Sequence, residues 1–256
     1  MVEHSGDTLT GTTMATLTGE ARFPVTRWTL VLAAADKSEG EGRKALASLC
    51  ETYWYPLYAY IRRRGFPAVE AQDLTQQFFL RVLEGRYFDR ANPDKGRFRA
   101  FLLSCLKYFL SDEMDRSHAQ KRGGGMALLP FEISDGEALY QREPFHDETP
   151  ERIFERRWAR ALLNRVLERL QEEFIRHGRP EHFHRFKLYL LGQQVVPYAE
   201  LAQQLEMSEG ALKVGIHRLR KRYRDLLRAE IAETVTDASQ VDAELQYLVA
   251  ALSTRS

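Results

Sequence analysis

The chain has 256 residues, 44% of them hydrophobic, enough apolar material for two compact domains of about a hundred residues each. A formal net charge of +1 points to no partner by itself, so the information lies in how charge is segregated along the chain. No apolar run is long enough to cross a bilayer, and the Thr-, Gly- and Ser-rich start lacks the pattern of a signal peptide, so a soluble, cytoplasmic protein is expected.

Sustained alternation and Asn-Gly or Asp-Gly hairpin pairs are missing, whereas helical periodicity recurs throughout, so an all-α fold is expected. Residues 1–21 read as a disordered tail. A short helix is expected from Thr26 through Trp28, Leu30, Val31 and Leu32. A longer one covers about Glu41 to Arg64, with Leu46, Leu49, Tyr53, Leu57 and Ile61 inward and a kink at Pro56. Cys50 and Cys105 sit among apolar helical neighbours and read as buried thiols in a reducing compartment.

The next helix, about Pro67 to Glu84, carries an inward stripe of Ala71, Leu74, Thr75, Phe78 and Val82. Asp73, Gln76, Gln77 and Leu80 fall together on another, exposed face. Composition leaves two readings of that face open, an ordinary surface with a lone Leu or a small docking patch. A loop from Tyr87 to Arg97 leads into a helix from Phe98 to about Arg116, with Leu102, Leu103, Leu106 and Phe109 as its apolar stripe. Arg97, Arg99, Lys107, Tyr108, Arg116, Lys121 and Arg122 interleave cations with an aromatic ring. Single-stranded nucleic acid binds such surfaces; core aromatics beside solvated cations give the same pattern, and the residues alone favour that simpler reading.

After Gly123-Gly-Gly125 the chain to Thr149 mixes Pro, Gly and acids and reads as a linker. Thr149-Pro150 is a helix start, and the helix runs to about Arg176 through Ile153, Phe154, Trp158, Leu162, Val166 and Leu170. A shorter helix holds Phe183, Phe186, Leu188 and Leu190. His177, His182 and His184 lack the ligand spacing of a metal site, so neither a metal nor a cofactor is expected. The enzyme signatures sought, a Gly-rich phosphate loop, Gly-x-Ser-x-Gly and His-Glu-x-x-His, are missing, so no catalytic residues are assigned.

The most informative stretch is Tyr198 to Arg224, two helices joined by a tight turn at Glu206-Met207. Pro197 suits a first helical turn, Leu201, Ala202 and Leu205 recur at helical spacing, and Ser208 is placed to cap the second helix. Leu212, Ile216, Leu219 and Tyr223 form its apolar stripe, while Glu209, Lys213, His217, Arg218, Arg220, Lys221 and Arg224 lie on other faces. Seven Lys or Arg stand between Lys213 and Arg228 against the single acid Asp225, a density that repels itself unless phosphates neutralise it. The pattern is that of a helix-turn-helix whose second helix reads DNA. Asp237 to Gln240 reads as a polar break, and Val241 to Leu252 as a last helix packing through Leu245, Leu248, Val249 and Leu252.

Taken together these blocks resemble a bacterial sigma factor of the small, extracytoplasmic-function type. Asp73-Leu-Thr-Gln76-Gln-Phe-Phe79 matches the family's polymerase-docking helix. Gly96-Arg-Phe98-Arg-Ala-Phe101-Leu matches the start of its promoter-melting helix. Glu200-Leu-Ala202, Ser208-Glu-Gly-Ala-Leu-Lys213 and His217-Arg-Leu-Arg match its domain for the −35 element. The resemblance implies core RNA polymerase and promoter DNA as partners, with an anti-sigma or other regulatory protein as a further one. It implies that Asp73, Gln76, Gln77 and Leu80 dock on the polymerase. It also implies that Arg97, Arg99, Lys107, Tyr108, Arg116, Lys121 and Arg122 hold the melted strand, and that Ser208 to Arg224 reads the upstream element. The expected organisation is a region-2-like helical domain over 22–122, a linker over 123–149, a helix-turn-helix domain over 150–233 and a C-terminal extension over 234–256. Glu206 replaces the family's usual turn Gly, and Tyr108 a frequent Asn. The competing reading is a stand-alone helix-turn-helix regulator whose first block senses a ligand or dimerises.

Overall fold

The computed structural model describes residues 52–84, 87, 97–119, 136–143, 148–192, 196–235 and 237–253, and every ordered element among them is helical. The expected helix at Thr26, residues 41–51 of the next one, most of the loop before Arg97, and Lys121 and Arg122 lie outside the described residues.

Among the described residues, the first block is built from three helices whose apolar faces meet. Helix α1, residues 52–63, continues through Pro56 and buries Tyr53, Leu57 and Ile61 completely. Gly65, at φ 97°, ends it in the left-handed region that glycine enters without steric cost. Helix α2 (Ala68–Leu83) buries Ala71, Leu74, Thr75, Phe78 and Val82, the expected stripe, and Phe79 as well. It packs on α3 (Phe98–Ala119), with the Phe78 and Phe109 rings 5.7 Å apart, and α1 meets the start of α3 through the Tyr53 and Phe98 rings, edge to face at 5.4 Å.

The segment read as a linker contains a short helix, α4 (Gly136–Gln141), docked on α1. Gly136 is required there because a Cβ would collide with the Trp54 ring. Arg62 grips Glu137 with both Nε and Nη2, at 2.9 and 2.8 Å, and Tyr58 donates its hydroxyl to the same carboxylate. The Arg62 guanidinium holds that carboxyl below its ordinary pKa.

Helix α5 (Pro150–Arg176) starts as expected: Thr149 Oγ1 accepts from Arg152 N at 3.3 Å, and Pro150 occupies the first turn. All six expected core residues from Ile153 to Leu170 are buried on it. After it come α6 (Pro180–Leu190), α7 (Tyr198–Gln204), α8 (Glu209–Ala232) and α9 (Val241–Ser253); α6, α8 and α9 pack on α5, whereas α7 packs on α8. The turn between α7 and α8 is a Schellman motif: Met207 N donates to Ala202 O at 2.9 Å and Glu206 N to Gln203 O at 3.2 Å. Glu206 itself stands at φ 51°, the left-handed position that glycine fills more cheaply. Ser208 Oγ then accepts from Ala211 N at 3.1 Å and caps α8.

The extension after α8 is ordered. Asp237 caps a 3-10 turn, Ala238–Gln240, and α9 packs on both α5 and α8. Its buried face is Val241, Glu244 and Leu248, flanked by the half-buried Leu245 and Leu252. This corrects one residue of the expected stripe, because Val249 is exposed; a charged residue, Glu244, takes the inward place instead.

The two blocks also touch. Phe98 N, at the open start of α3, donates to Thr234 O at 3.2 Å, and Lys107 pairs with Glu151 at 2.8 Å. Arg165 Nη1 reaches Thr52 Oγ1 at 3.3 Å. One apolar cluster runs through both blocks without a gap between them.

The turn gives a two-sided stability prediction. Glu206→Gly should raise thermal stability by about 0.5–1 kcal/mol by relieving the left-handed backbone. Ser208→Ala should lower it by about 1 kcal/mol through loss of the cap. Calorimetric melts of the two variants moving in the same direction would contradict this account of the turn.

Candidate nucleic-acid interface

Helix α8 separates its residues by chemistry around its circumference. Leu212, Ile216 and Leu219 are buried as expected, and Tyr223 is half-buried, its hydroxyl pKa pushed up to about 12 by burial. Ser208, Glu209, Lys213, His217, Arg218, Arg220, Lys221 and Arg224 are all exposed. From Glu209 to Arg224, these side chains occupy one continuous arc opposite the buried stripe, as the 3.6-residue period requires. The approach of α8 to α6 is close at Gly215, where a Cβ would come within 2.9 Å of the Phe186 ring.

The arc is not uniform. Lys213 pairs with Glu209 one turn earlier at 2.6 Å, which raises its pKa. Arg220 Nη2 donates to Tyr189 O at 3.0 Å, in the last turn of α6, so this cation serves the fold. His217, Arg218, Lys221 and Arg224 have no ion-pair partner among the described residues, which leaves the outer arc cationic. Next to Arg218, Phe174, Phe186, Met207 and Val214 line a groove of about 380 Å³ rimmed by Arg179 and Arg222. Sequence reasoning missed it because its walls come from α5, α6 and α8 together.

The cations of α3 divide. Lys107, Tyr108 and Arg116 are exposed, Lys107 paired with Glu151 and Arg116 with Glu113 one turn away, each at 2.8 Å. Arg97 and Arg99 depart from the expected open surface. Arg99 is only 5% exposed, and both guanidinium groups bond the fully buried Glu244 of α9. The reason is tertiary: the acceptor lies 145 residues away from Arg99, beyond the reach of any local pattern.

On α2 the expected exposed face is only partly open. Asp73 is exposed, Gln77 and Leu80 are half-buried, and Gln76 is buried at 8% exposure, which corrects its placement on the open surface. Val69, one turn before Asp73, is 73% exposed and extends the same face, an apolar residue the sequence pattern did not single out.

Comparison with known proteins bears on the first block. The family model for sigma-70 region 2 matches residues 49–119, the stretch that contains α1, α2 and α3. The resemblance to extracytoplasmic-function sigma factors holds. A curated relative, the ECF RNA polymerase sigma factor SigE of Mycolicibacterium smegmatis, is 28% identical over 169 residues, 66% of this chain. The matched stretch spans 56% of that relative's length. No solved structure matches the chain. The match to sigma-70 region 2 therefore takes in both the Asp73 face and the start of α3. Among the described residues no helix is long and apolar enough to cross a membrane.

The division of labour within the arc is testable. Arg220→Ala should lower stability to denaturant by about 0.5–1.5 kcal/mol, the worth of one hydrogen bond. Lys221→Ala should leave the unfolding midpoint within its error. Equal midpoints for the two variants would show that the Arg220–Tyr189 bond contributes nothing.

Proposed function

We propose that this chain is a transcription-initiation sigma factor, which binds core RNA polymerase in the cytoplasm, recognises promoter DNA and supports its opening without chemistry of its own. The observation that carries the reading is the coincidence of two features in one chain. A block matching sigma-70 region 2 is followed by two helices joined by a tight turn, the second of which presents an exposed cationic arc, as expected of a helix-turn-helix.

The α2 face centred on Asp73 and Gln77, with Val69 and Leu80 beside it and Gln76 beneath, docks on the polymerase. An exposed acid beside an exposed aliphatic residue gives both charge complementarity and apolar burial to such a contact. Lys107, Tyr108 and Arg116, with Arg97, Arg99, Lys121 and Arg122, hold the melted strand through phosphate contacts and stacking. The arc of α8 meets duplex DNA: Glu209, Lys213 and His217 face base edges from the first turns, where a recognition helix enters the major groove. Arg218, Lys221 and Arg224 meet phosphates.

Two measurements test this. Asp73→Arg combined with Gln77→Arg should abolish co-purification with core polymerase while the circular dichroism spectrum stays helical; retained polymerase affinity would overturn the docking face. On duplex promoter fragments, Lys221→Ala and Arg224→Ala should each reduce the slope of log affinity against log salt by about 0.9, one phosphate contact apiece. An unchanged slope in both would remove the outer arc from the DNA interface.

A further inference from the structure

The C-terminal extension meets the start of α3 in a way that the proposed function leaves unexplained. Glu244 of α9 is fully buried there. Its Oε2 accepts from Arg97 Nε at 2.7 Å, and its Oε1 from Arg99 Nε at 2.7 Å. Arg99 Nη2 adds a bond to Oε2 at 3.2 Å. Tyr247, three residues on, lays its ring over the same cations, 3.8 Å from the Arg99 guanidinium carbon and 5.3 Å from that of Arg97. Burial, with a hydrogen bond to Glu155, pushes the Tyr247 pKa up to about 12, so the ring is uncharged at neutral pH.

An oxyanion held by two guanidinium groups, with a flat ring stacked on one of them, is also how arginines hold a nucleotide. Phosphate oxygens take the N–H donors, and the base lies over the cation. Glu244 and Tyr247 supply both halves of that chemistry from inside the chain. A carboxylate can be exchanged for a phosphate at this spot without leaving either arginine unpaired. The extension is also suited to leaving. It is a helix of 13 residues, too short to persist alone in water, with Val241 and Leu248 as its buried apolar anchors and Val249 facing outward.

We propose that α9 is an intramolecular latch whose Glu244 and Tyr247 occupy the phosphate and base positions of a single DNA strand on Arg97 and Arg99. The strand binds there only once α9 has left. This rests on the proposed role of the α3 start in holding melted DNA. The occupant is a segment of this chain itself, and the ligand it displaces is single-stranded nucleic acid.

The test uses the full chain and a short, mixed-sequence, fluorescein-labelled single-stranded DNA, with affinity read by anisotropy. Deuterium uptake over residues 241–253 reports independently whether α9 has been freed. Glu244→Gln with Tyr247→Ala should raise uptake there and tighten strand binding roughly tenfold. The slope of log affinity against log salt should steepen by about 0.7, for the one phosphate that takes the place of Glu244. Adding Arg97→Ala and Arg99→Ala should cancel the gain.

Each other outcome has a distinct meaning. Suppose the native chain binds the strand as tightly as the latch variant, and loses that binding with Arg97→Ala and Arg99→Ala. The latch is then wrong, and the strand-holding role stands. Suppose instead that α9 is freed and binding does not improve, whatever stands at positions 97 and 99. The strand-holding role then fails, and the latch with it. Unchanged deuterium uptake in the latch variant overturns the latch directly, because Glu244 and Tyr247 would not be what holds α9.

Discussion

A carboxylate taken out of water must be met by cations and donors, and this structure meets that demand with three glutamates drawn from different parts of the chain. Glu143, Glu230 and Glu244 are 3%, 0% and 0% exposed. Glu143, just after α4, is gripped by Arg156 and Arg157 of α5 and by the Tyr55 hydroxyl of α1. Glu230, near the end of α8, meets Arg165 and Arg169 of α5. Glu244 meets Arg97 and Arg99. Well-packed apolar residues would stabilise these junctions about as well, but loss of one partner from such a pair costs on the order of 3–5 kcal/mol. What the pairs add is discrimination: each junction accepts one partner element and penalises the others.

Helix α5 is the hinge of this arrangement. Its apolar stripe, with Trp158, Leu162 and Val166 fully buried, serves the core. Its arginines reach outward in both directions, to the segment after α4 on one side and to α8 on the other. Hydrophobic burial thus holds the helices together without specifying neighbours, since it is non-directional. The ion pairs carry the direction. The Phe98–Thr234 backbone bond adds a contact that substitution of side chains leaves in place, so the junction between α3 and the end of α8 is only partly encoded in charge.

Periodicity and capping were legible because they are local. The stripe on α5, the Thr149 cap, the Ser208 cap and the inward set on α2 each depend on residues within a few turns of one another. All were read from spacing and found in place. The turn at Glu206-Met207 was legible for the same reason, while the significance of a non-glycine residue there came from the family resemblance. What spacing could not reveal was partnership across the chain. Arg97 and Arg99 look like open cations because their acceptor follows far downstream, and Glu244 looks like a surface acid because it is charged. Gln76 looks exposed because it is polar and shares a helix face with Asp73 and Leu80, yet in the folded chain it is buried. Val69 was passed over because the docking pattern begins at Asp73. For Arg97, Arg99, Glu244 and Gln76, exposure was assigned by chemistry alone, where the packing of the folded chain decided otherwise.

The two cationic surfaces therefore stand in different states within one structure. The arc of α8 is solvent-exposed from Glu209 to Arg224 outside its buried stripe. The cations at the start of α3 are already satisfied by Glu244. Under the proposed function this difference implies an order of events. Among the described residues the arc of α8 carries two internal bonds. The Glu209–Lys213 pair is a solvent-exposed contact of the kind that contributes little, and the Arg220–Tyr189 bond can stay in place because Arg220 serves the fold. A melted strand at α3 must compete with a buried, multiply bonded carboxylate. Duplex recognition then needs no rearrangement, whereas strand capture does, and the upstream contact comes first because it is the one already open.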